Sequence, residues 1–289
     1  MIANRNRVFR PEIAAPGIAL WAARAQSTIT ALEEQLALSG LETSELRREV
    51  YEAAQMQRHL CGSRLVRRGS FEIAAELFPV RHLSGDFFCI SDFGANTMLG
   101  IGDICGKGLL AGMWSIHILE LTRMYAGATT DPAEALSTMN RTLCAARPSA
   151  PLTSIFLAYM DYSGRELFYC NAGHPAPVLL RADGTLQLLS EGGPLLGVIP
   201  DAEFHSVRLT LEQGDTLLAF SDGLTECRNE REEEFETGRI VSEIRKAASL
   251  STSDMLFSII GAAQDFAGTH PREDDCTLMV ARCVDAEAA

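Results

Sequence analysis

Four short acidic stretches, spread over almost the whole chain, each place an aspartate at the end of an apolar run. They are Ser84-Gly85-Asp86-Phe87, Gly102-Asp103-Ile104-Cys105-Gly106-Lys107-Gly108, Phe220-Ser221-Asp222-Gly223 and Glu273-Asp274-Asp275-Cys276-Thr277. A single Asp-Gly pair is ordinary turn chemistry. Repeated at four predicted strand termini, the pattern is typical of a carboxylate-lined site for hard divalent cations. It indicates a metal-dependent enzyme that handles phosphate.

The composition is that of a soluble globular protein. The chain has 289 residues, of which 47% are hydrophobic and 22% are charged, and no apolar run approaches the roughly 18 residues that are needed to cross a bilayer. The net charge of −13 is divided as +3 on residues 1–68 and −16 on residues 69–289. A body this acidic repels nucleic acid and anionic membranes, so we expect neither as a partner.

The cysteines indicate a reducing compartment. The chain has eight of them, with no Cys-x-x-Cys pair and no zinc-ligand spacing. Most lie inside apolar runs, where a cysteine behaves as a small buried hydrophobe, and thiols stay reduced in the cytosol. We therefore expect a cytoplasmic protein without disulfides.

The N-terminal quarter has its own pattern. Residues 1–27 show no clear periodicity and are predicted to be irregular. Residues 28–68 are predicted to be a helical linker, because a spacing of three and four residues continues through Ile29, Leu32, Leu36, Ser39, Thr43, Leu46, Val50, Ala53, Gln57 and Leu60. Three polar seam residues and Gly40 make any coiled coil marginal. The segment is either a dimerising helix, which would make the protein a homodimer, or an amphipathic helix packed on its own domain.

Residues 69–284 are predicted to form one catalytic-size domain, followed by an acidic tail at 285–289. Ten short strand patterns occur in hairpin-like groups, and Asp183-Gly184 is a turn signal between two of them. Helical patterns are inserted in pairs, at Leu109–Tyr125 and Pro132–Cys144, then at Arg239–Ala248 and Ser253–Phe266. This grouping favours an α+β fold with packed antiparallel sheets flanked by helices, rather than a doubly wound parallel sheet.

The chemistry of the four stretches suits two metal ions. Mg²⁺ and Mn²⁺ prefer octahedral oxygen coordination with several retained waters. Four aspartates and a backbone carbonyl can hold two such ions, which would acidify a shared water and place it in line with a phosphorus atom. Gly106 and Gly108 also permit a tight loop into a helix, whose N-terminus suits a phosphate. No protein nucleophile is then required.

The order of the motifs resembles a known family. The motifs are Gly85-Asp86-Phe87, Gly102 to Gly108, Asn171-Ala172-Gly173-His174-Pro175, Gly193-Pro194-Leu195-Leu196-Gly197, Ser221-Asp222-Gly223-Leu224-Thr225-Glu226 and Asp274-Asp275-Cys276-Thr277. Together they resemble the PPM-type protein serine/threonine phosphatases, and within them the sporulation-protein-IIE or RsbU-like branch of bacteria. The resemblance covers roughly residues 50–284.

The resemblance implies a four-layer α-β-β-α sandwich with a two-metal Mn²⁺ or Mg²⁺ centre. By motif position, Asp103 would bridge both ions, the Ile104 carbonyl would add a ligand, and Asp86, Asp222 and Asp274 would complete the set, acting in catalysis through a metal-bridging hydroxide. Asp275 would support its neighbours or serve as an alternative ligand.

Three further residues near these motifs stay outside the predicted catalytic set. Cys105 stands where a serine is frequent, and a buried, inert thiol is the simpler interpretation. His174, in a turn between Gly173 and Pro175, is more often a structural hydrogen-bonding residue than a general acid. Lys107 would either steer the phosphate or be a solvated charge at the start of a helix.

The resemblance also implies a function. It predicts a phosphatase that removes phosphate from phosphoserine or phosphothreonine, with a STAS-type anti-sigma-factor antagonist as its substrate and an activating protein at the N-terminal helix. The alternative is a pseudophosphatase that docks such a partner without turnover. A nucleotide cyclase, suggested by Gly85-Asp86-Phe87-Phe88, would need a nucleotide-binding motif that the sequence lacks, and a coiled-coil adaptor is disfavoured because the seam is short.

Overall fold

The computed structural model describes residues 39, 43–94, 96–146, 150–161 and 165–284. The chain divides into two compact units, residues 1–50 and residues 51–289. The predicted irregular segment 1–27 and the acidic tail 285–289 lie outside the described residues, as does most of the predicted seam before residue 43. Within the described ranges, no helix is long and apolar enough to cross a membrane.

Helix α1 covers residues 43–60, inside the segment that the spacing predicts to be helical. In the second unit it buries Ala54 and Gln57, together with Cys61 just beyond its end, whereas Ala53 on the predicted seam is exposed. Burial at intervals of three and four residues is the pattern of an amphipathic helix packed on its own domain. This part of α1 therefore follows the second alternative, and dimerisation stays a prediction.

In the described residues after α1, the structure has twelve strands and five further helices. The strands are β1 (Leu65–Arg68), β2 (Phe71–Phe78), β3 (Phe87–Phe93), β4 (Asn96–Ile104), β5 (Thr153–Asp161), β6 (Glu166–Ala172), β7 (Val178–Leu180), β8 (Leu186–Leu188), β9 (Gly192–Gly193), β10 (Val207–Thr210), β11 (Thr216–Phe220) and β12 (Cys276–Cys283). The helices are α2 (Leu109–Ala126), α3 (Pro132–Ala145), α4 (Asp222–Thr225), α5 (Glu236–Lys246) and α6 (Thr252–Ala267). The four predicted helical patterns match α2, α3, α5 and α6 to within three residues at either end.

The strands form two sheets, as predicted. One has the order β1-β2-β12-β11-β7-β8, and the other has the order β10-β6-β5-β4-β3. Every pair along these orders is antiparallel, and only the short β9 adds a parallel pairing, on β6. Strand β1 pairs with β2, so Leu65–Arg68, which the prediction placed at the end of the helical linker, belongs to a sheet.

Each sheet is buried on both faces, which produces the four layers. In β2, Ile73 and Ala75 contribute to the core between the sheets, while Ala74 lies in the second core, beneath α5 and α6. Alternate residues of a strand point to opposite faces, so a strand covered on both sides is apolar throughout. Helices α2 and α3 contact β3 to β6, and α6 contacts β2 and β12. The α+β sandwich is thus confirmed.

Two local predictions are also confirmed. The side chain of Asp131 accepts a hydrogen bond from the Ala133 amide (2.9 Å) and caps α3, which begins at Pro132. Gly184 has a φ of 86° between β7 and β8, a left-handed conformation that glycine adopts without strain. These signals succeeded because both act within a few residues of the chain.

Candidate metal centre

The strand pairing brings the four predicted aspartates to one end of the sandwich. Phe87, the first residue of β3, pairs with Gly102 of β4. Because the two strands are antiparallel, Asp86 just before β3 lies opposite Asp103 of β4. In the other sheet Phe220 pairs with Leu278, which places Asp222, after β11, beside Asp274, before β12. The two sheets meet here, because the Thr277 hydroxyl donates to the Asp86 carboxylate at 2.8 Å.

Backbone contacts hold these segments close together. A Cβ atom on Gly223 would lie 1.8 Å from the Asp275 carbonyl oxygen, and one on Gly85 would lie 3.3 Å from the Ile104 carbonyl and 3.4 Å from Asp103 Oδ1. Gly223 is therefore required for Asp222 to approach the Asp274 segment. Gly85 leaves a small space that faces the Ile104 carbonyl and the Asp103 carboxylate.

Asp86 is the most buried of the four aspartates, with 2% of its surface exposed. Burial and the neighbouring Asp103 raise its pKa well above the usual range, whereas hydrogen bonds from Ser221 and Thr277 act in the opposite direction. The Ser221 hydroxyl also accepts from the Thr277 amide at 2.9 Å. This side chain is thus fixed by two hydroxyls from the opposite sheet.

Asp103 and Asp222 repel each other. Burial, followed by the charge of Asp222, raises the pKa of Asp103 to about 6, while a hydrogen bond with Asp86 opposes the increase. Burial, followed by the charge of Asp274, raises the pKa of Asp222. The carboxylates therefore form a chain of repulsions from Asp86 to Asp274, and a site with this much negative charge favours a cation.

Lys107 supplies a positive charge at the edge of this group. Its ammonium lies 2.7 Å from Asp274 Oδ2 and 3.1 Å from the Glu273 carbonyl. The hydrogen bond to Asp274 raises the pKa of Lys107. Lys107 is therefore more than a solvated charge at the start of a helix, because the ammonium is bound to a predicted metal ligand, and a role in steering the phosphate stays a prediction. The sequence gives no signal for the contact, since the two residues are far apart in the chain.

Both carboxylate oxygens of Asp275 accept hydrogen bonds from backbone amides. Its Oδ1 accepts from the Val80 amide at 2.7 Å, and its Oδ2 accepts from the Gly85 amide at 3.0 Å. Asp275 thereby ties the loop between β2 and β3 to the start of β12. This is a supporting position for Asp86, in keeping with the first of its two predicted roles.

Gln57 on α1 supports the same loop, whereas the spacing of residues predicts only that it belongs to the seam. Its amide nitrogen donates to the Ser84 carbonyl (2.7 Å) and to the Ser115 hydroxyl (2.6 Å), and its oxygen accepts from the Ser84 amide (3.1 Å). Ser115 lies on α2 and also donates to the Ser84 carbonyl at 3.0 Å. The residue two positions before Asp86 is therefore held by both helices. A glutamine among the apolar positions of the predicted helix was the sequence signal that could have indicated such a contact.

His174 is buried, and its Nδ1 lies 2.9 Å from the Ser154 hydroxyl. Its amide donates to Asn171 at 2.8 Å. Burial lowers the pKa of His174 to about 3, so the imidazole is neutral at physiological pH. These contacts agree with the structural role that the turn sequence predicted.

Cys105 is exposed, so the expectation of a buried thiol is wrong. The apolar run ends with strand β4 at Ile104, and Cys105 lies beyond it in the loop. Partial burial and the charge of Asp103 raise the pKa of this thiol. Among the described residues, the eight cysteines form no disulfide.

The donor chemistry of this end of the sandwich fits hard divalent cations. As the side chains lie, no three histidine, cysteine, aspartate or glutamate residues in the described ranges are grouped so that they could hold one ion. Mg²⁺ and Mn²⁺ keep several waters and are commonly bound through one or two carboxylates each. The pairs formed by neighbouring aspartates, with the Ile104 carbonyl beside Asp103, supply oxygen ligands of this kind.

Comparisons with known proteins agree with this geometry. The sequence model of the family described as stage II sporulation protein E (SpoIIE) matches residues 94–284. Phosphoserine phosphatase RsbU of Bacillus subtilis is 26% identical over 255 residues, which cover 87% of this chain and 75% of the relative.

Solved structures share the fold. The SiaA-PP2C domain of Pseudomonas aeruginosa superposes with a TM-score of 0.72 at 17% identity, covering 83% of this chain and 98% of that domain. The catalytic domain of the serine/threonine phosphatase PstP, in complex with two manganese ions, superposes with a TM-score of 0.53 at 18% identity, covering 74% of this chain and 99% of that one.

The close approach at Gly223 gives the first prediction. Gly223→Ala should lower the free energy of unfolding by about 3 kcal/mol or more, because the new methyl group overlaps the Asp275 carbonyl. Gly238→Ala in α5, where a methyl group meets nothing within 4 Å, is the matched control and should be neutral or stabilising. Urea denaturation of both variants measures the difference. Equal stability of the two variants would contradict the close contact.

The Gln57 network gives the second prediction. Gln57→Leu leaves the buried Ser84 amide without its acceptor, which should lower the free energy of unfolding by about 2 kcal/mol. Gln55→Leu makes the same exchange on the exposed face of α1 and should change stability by less than about 0.5 kcal/mol. Urea denaturation of both variants checks this prediction. It is refuted if both variants unfold at the same denaturant concentration.

The repulsion among the carboxylates gives the third prediction. The folded pKa of Asp103, about 6 against an ordinary 3.8, means that the folded state favours the protonated form. In metal-free protein, protonation of Asp103 therefore contributes to the free energy of unfolding. The contribution is fully present below pH 4 and is lost as the pH rises through 6. Asp103→Asn should therefore gain stability over wild type, by about 3 kcal/mol at pH 7. Urea denaturation of wild type and Asp103→Asn in a chelator at pH 4 and at pH 7 tests this. A difference in the free energy of unfolding between the two proteins that is the same at both pH values would refute it.

Proposed function

The chain belongs to the stage II sporulation protein E (SpoIIE) family of PPM-type protein serine/threonine phosphatases, and from that premise we propose that it hydrolyses phosphoserine or phosphothreonine in a protein substrate. The observation that carries the proposal is the group of aspartates which the two sheets bring to one end of the sandwich. Its donor chemistry is that of a metal-dependent phosphatase.

Two Mn²⁺ or Mg²⁺ ions are the proposed cofactors. Asp86, Asp103, Asp222, Asp274 and the Ile104 carbonyl would hold them, with Asp103 shared between the two. Such ions supply Lewis acidity, which lowers the pKa of water and offsets the negative charge of a phosphoryl group. The manganese complex of PstP, whose fold this chain shares, supports the number of ions.

The residues of the chain have distinct roles in this proposal. Thr277 and Ser221 orient Asp86, and the repulsion among the carboxylates favours the binding of cations between them. Lys107 balances the charge of Asp274 at the rim of the centre. No side chain is needed as a nucleophile, since His174 is buried and neutral and the raised pKa of Cys105 leaves its thiol protonated at neutral pH.

A phosphorylated STAS-type anti-sigma-factor antagonist is the proposed substrate. The similarity to phosphoserine phosphatase RsbU supports it, and the output would then be the control of a sigma factor by partner switching. An activating protein at α1, and a homodimer formed through the same helix, belong to this proposal. The contact of Gln57 with the loop before Asp86 gives α1 a direct physical connection to the centre. The absence of disulfides among the described residues fits a cytoplasmic protein.

A fourth prediction tests the proposal. Phosphate release from a phosphoserine STAS-type protein should require Mn²⁺ and fall more than about 100-fold in Asp103→Asn and in Asp222→Asn, because each loses a ligand. Asp265→Asn, an exposed aspartate on α6, makes the same exchange elsewhere and should keep wild-type activity. Calorimetry of Mn²⁺ binding accompanies the assay.

The outcomes distinguish the alternatives. Turnover that is lost only in the two centre variants supports the phosphatase. A protein that binds the phosphorylated partner but neither binds Mn²⁺ nor releases phosphate is the pseudophosphatase. Mn²⁺ binding without turnover by the isolated chain directs the assay to an added activating partner.

A further inference from the structure

A cleft of about 110 Å³ lies next to the carboxylate centre. Lys107, Gly223 and Asp274 belong to both the centre and the cleft. The remaining wall comes from the segment Glu226 to Arg228 and from the segment between α6 and β12, which includes His270, Arg272 and Glu273. A ligand in this cleft is therefore adjacent to anything that reacts at the centre. We name it the cationic cleft, after Lys107, Arg228, His270 and Arg272.

The basic groups of the cationic cleft retain capacity for an anion. Arg272 is exposed and donates one hydrogen bond, to the Phe78 carbonyl at 3.2 Å, and within the described residues it has no ion pair. A guanidinium carries five N–H donors in a planar fork that matches a carboxylate. Most of the donors of Arg272 are therefore available.

The two neighbours of Arg272 support this interpretation. His270 Nε2 is buried without a hydrogen-bond partner, and the nearest carboxylate oxygen, Glu273 Oε1, is 3.9 Å away. Arg228 pairs with Glu234 at 3.0 Å, where both side chains are 40% exposed, and its other terminal nitrogen lies 3.8 Å from the exposed Glu232. Exposed ion pairs contribute little to stability, so Arg228 can exchange this partner at small cost.

The cationic cleft contrasts with the rest of the molecule. Residues 69–289 carry a net charge of −16, and the whole chain has only two lysines, of which Lys107 is one. A protein body this acidic repels an acidic partner at long range. The wall of the cleft also holds Glu226, Glu273 and Asp274, and Lys107 and Arg228 are already paired with carboxylates. The positive charge that is left for a negatively charged group is therefore that of Arg272.

A second hollow, also of about 110 Å³, adjoins the cationic cleft and indicates the kind of anion. The two share Gly223, Cys227, His270 and Arg272, and Leu224, Ile260 and Ala263 give the second hollow an apolar wall. Free phosphate has no apolar part that could use this wall. The side chain of an acidic residue in a peptide has a methylene stem as well as a carboxylate, and it fits both surfaces.

We propose that the cationic cleft binds an acidic side chain close in sequence to the phosphorylated residue of the protein substrate, with Arg272 as the principal contact. The inference rests on the proposed phosphatase function and makes it more specific. Arg272 would bind the carboxylate through two parallel hydrogen bonds, while Arg228 and His270 would complete the surroundings. Arg272 is then a residue that determines specificity for substrates.

The test uses phosphoserine peptides with a single glutamate moved from four positions before to four positions after the phosphoserine, each compared with its glutamine counterpart. With Mn²⁺ present, wild type should show a KM about tenfold lower for the glutamate peptide at one or more positions. Arg272→Gln should remove this discrimination. Arg272→Lys should restore part of it, because the charge returns without the planar fork.

Arg141→Gln, at an exposed arginine on α3, is the matched control and should keep the wild-type ratio of KM values. The proposal is overturned if wild type does not distinguish glutamate from glutamine at any position, or if Arg272→Gln keeps the full discrimination. Thermal melting of Arg272→Gln shows whether its fold is retained, and Arg228→Gln, which should also reduce the ratio, provides a second variant.

Failure of the proposed function gives a different result. A wild type that hydrolyses neither the peptides nor a small aryl phosphate with Mn²⁺ lacks the phosphatase activity itself. Fluorescence anisotropy of the same labelled peptides then measures binding without turnover. Tighter binding of the glutamate peptide that Arg272→Gln abolishes would support the cationic cleft alone, and equal binding of both peptides would overturn it.

Discussion

The repulsion among the carboxylates is the constraint on which the rest of the structure depends. Asp86, Asp103 and Asp222 all have raised pKa values, for which burial is the first cause and a neighbouring aspartate is the second. Side chains alone would move apart under this repulsion. They stay together because the backbone holds them in place. The strand pairing fixes Asp86 against Asp103, and the close approach at Gly223 fixes Asp222 against the Asp274 segment.

The loop between β2 and β3 is the part of the centre that depends most on other segments. It carries Asp86, and its backbone donors at Val80, Ser84 and Gly85 are satisfied by side chains from distant segments. Asp275 holds the loop from β12, and Gln57 holds it from α1. A change in the position of α1 therefore acts on a hydrogen bond of Ser84, two residues from a predicted ligand. This connection gives a physical basis for control of the centre from the N-terminal side.

Much of the fold was predictable from the sequence, because its signals are local. Alternating and 3.6-residue periods predicted packed antiparallel sheets and four of the helices, the family resemblance implied that the sheets are two, and Asp131-Pro132 predicted the start of α3. Strand β1 was missed since its burial pattern contains one buried residue, Val66, which is too little for a period. Cys105 was misplaced because the end of an apolar run does not show which residue first leaves the strand.

The aspartates of the centre were predictable as a set, whereas their partners were not. Motif order identifies residues that the fold brings together, but the ion pair between Lys107 and Asp274, and the contacts of Asp275 and Gln57, join segments that are far apart in the chain. Nothing in the local sequence of either partner indicates such a contact. The roles of Asp275 and Lys107 are therefore set by tertiary packing rather than by the motif in which each residue lies.

The charges of the centre and of the cationic cleft meet at Lys107. Asp274 carries one negative charge, and the Lys107 ammonium already lies against it. A divalent cation bound by Asp274 would repel that ammonium, whose side chain is 53% exposed. In the adjoining cationic cleft, the Lys107 ammonium would lie beside the carboxylate that Arg272 is proposed to bind. In these two proposals, loading of the centre and binding of an acidic residue would then favour each other through Lys107.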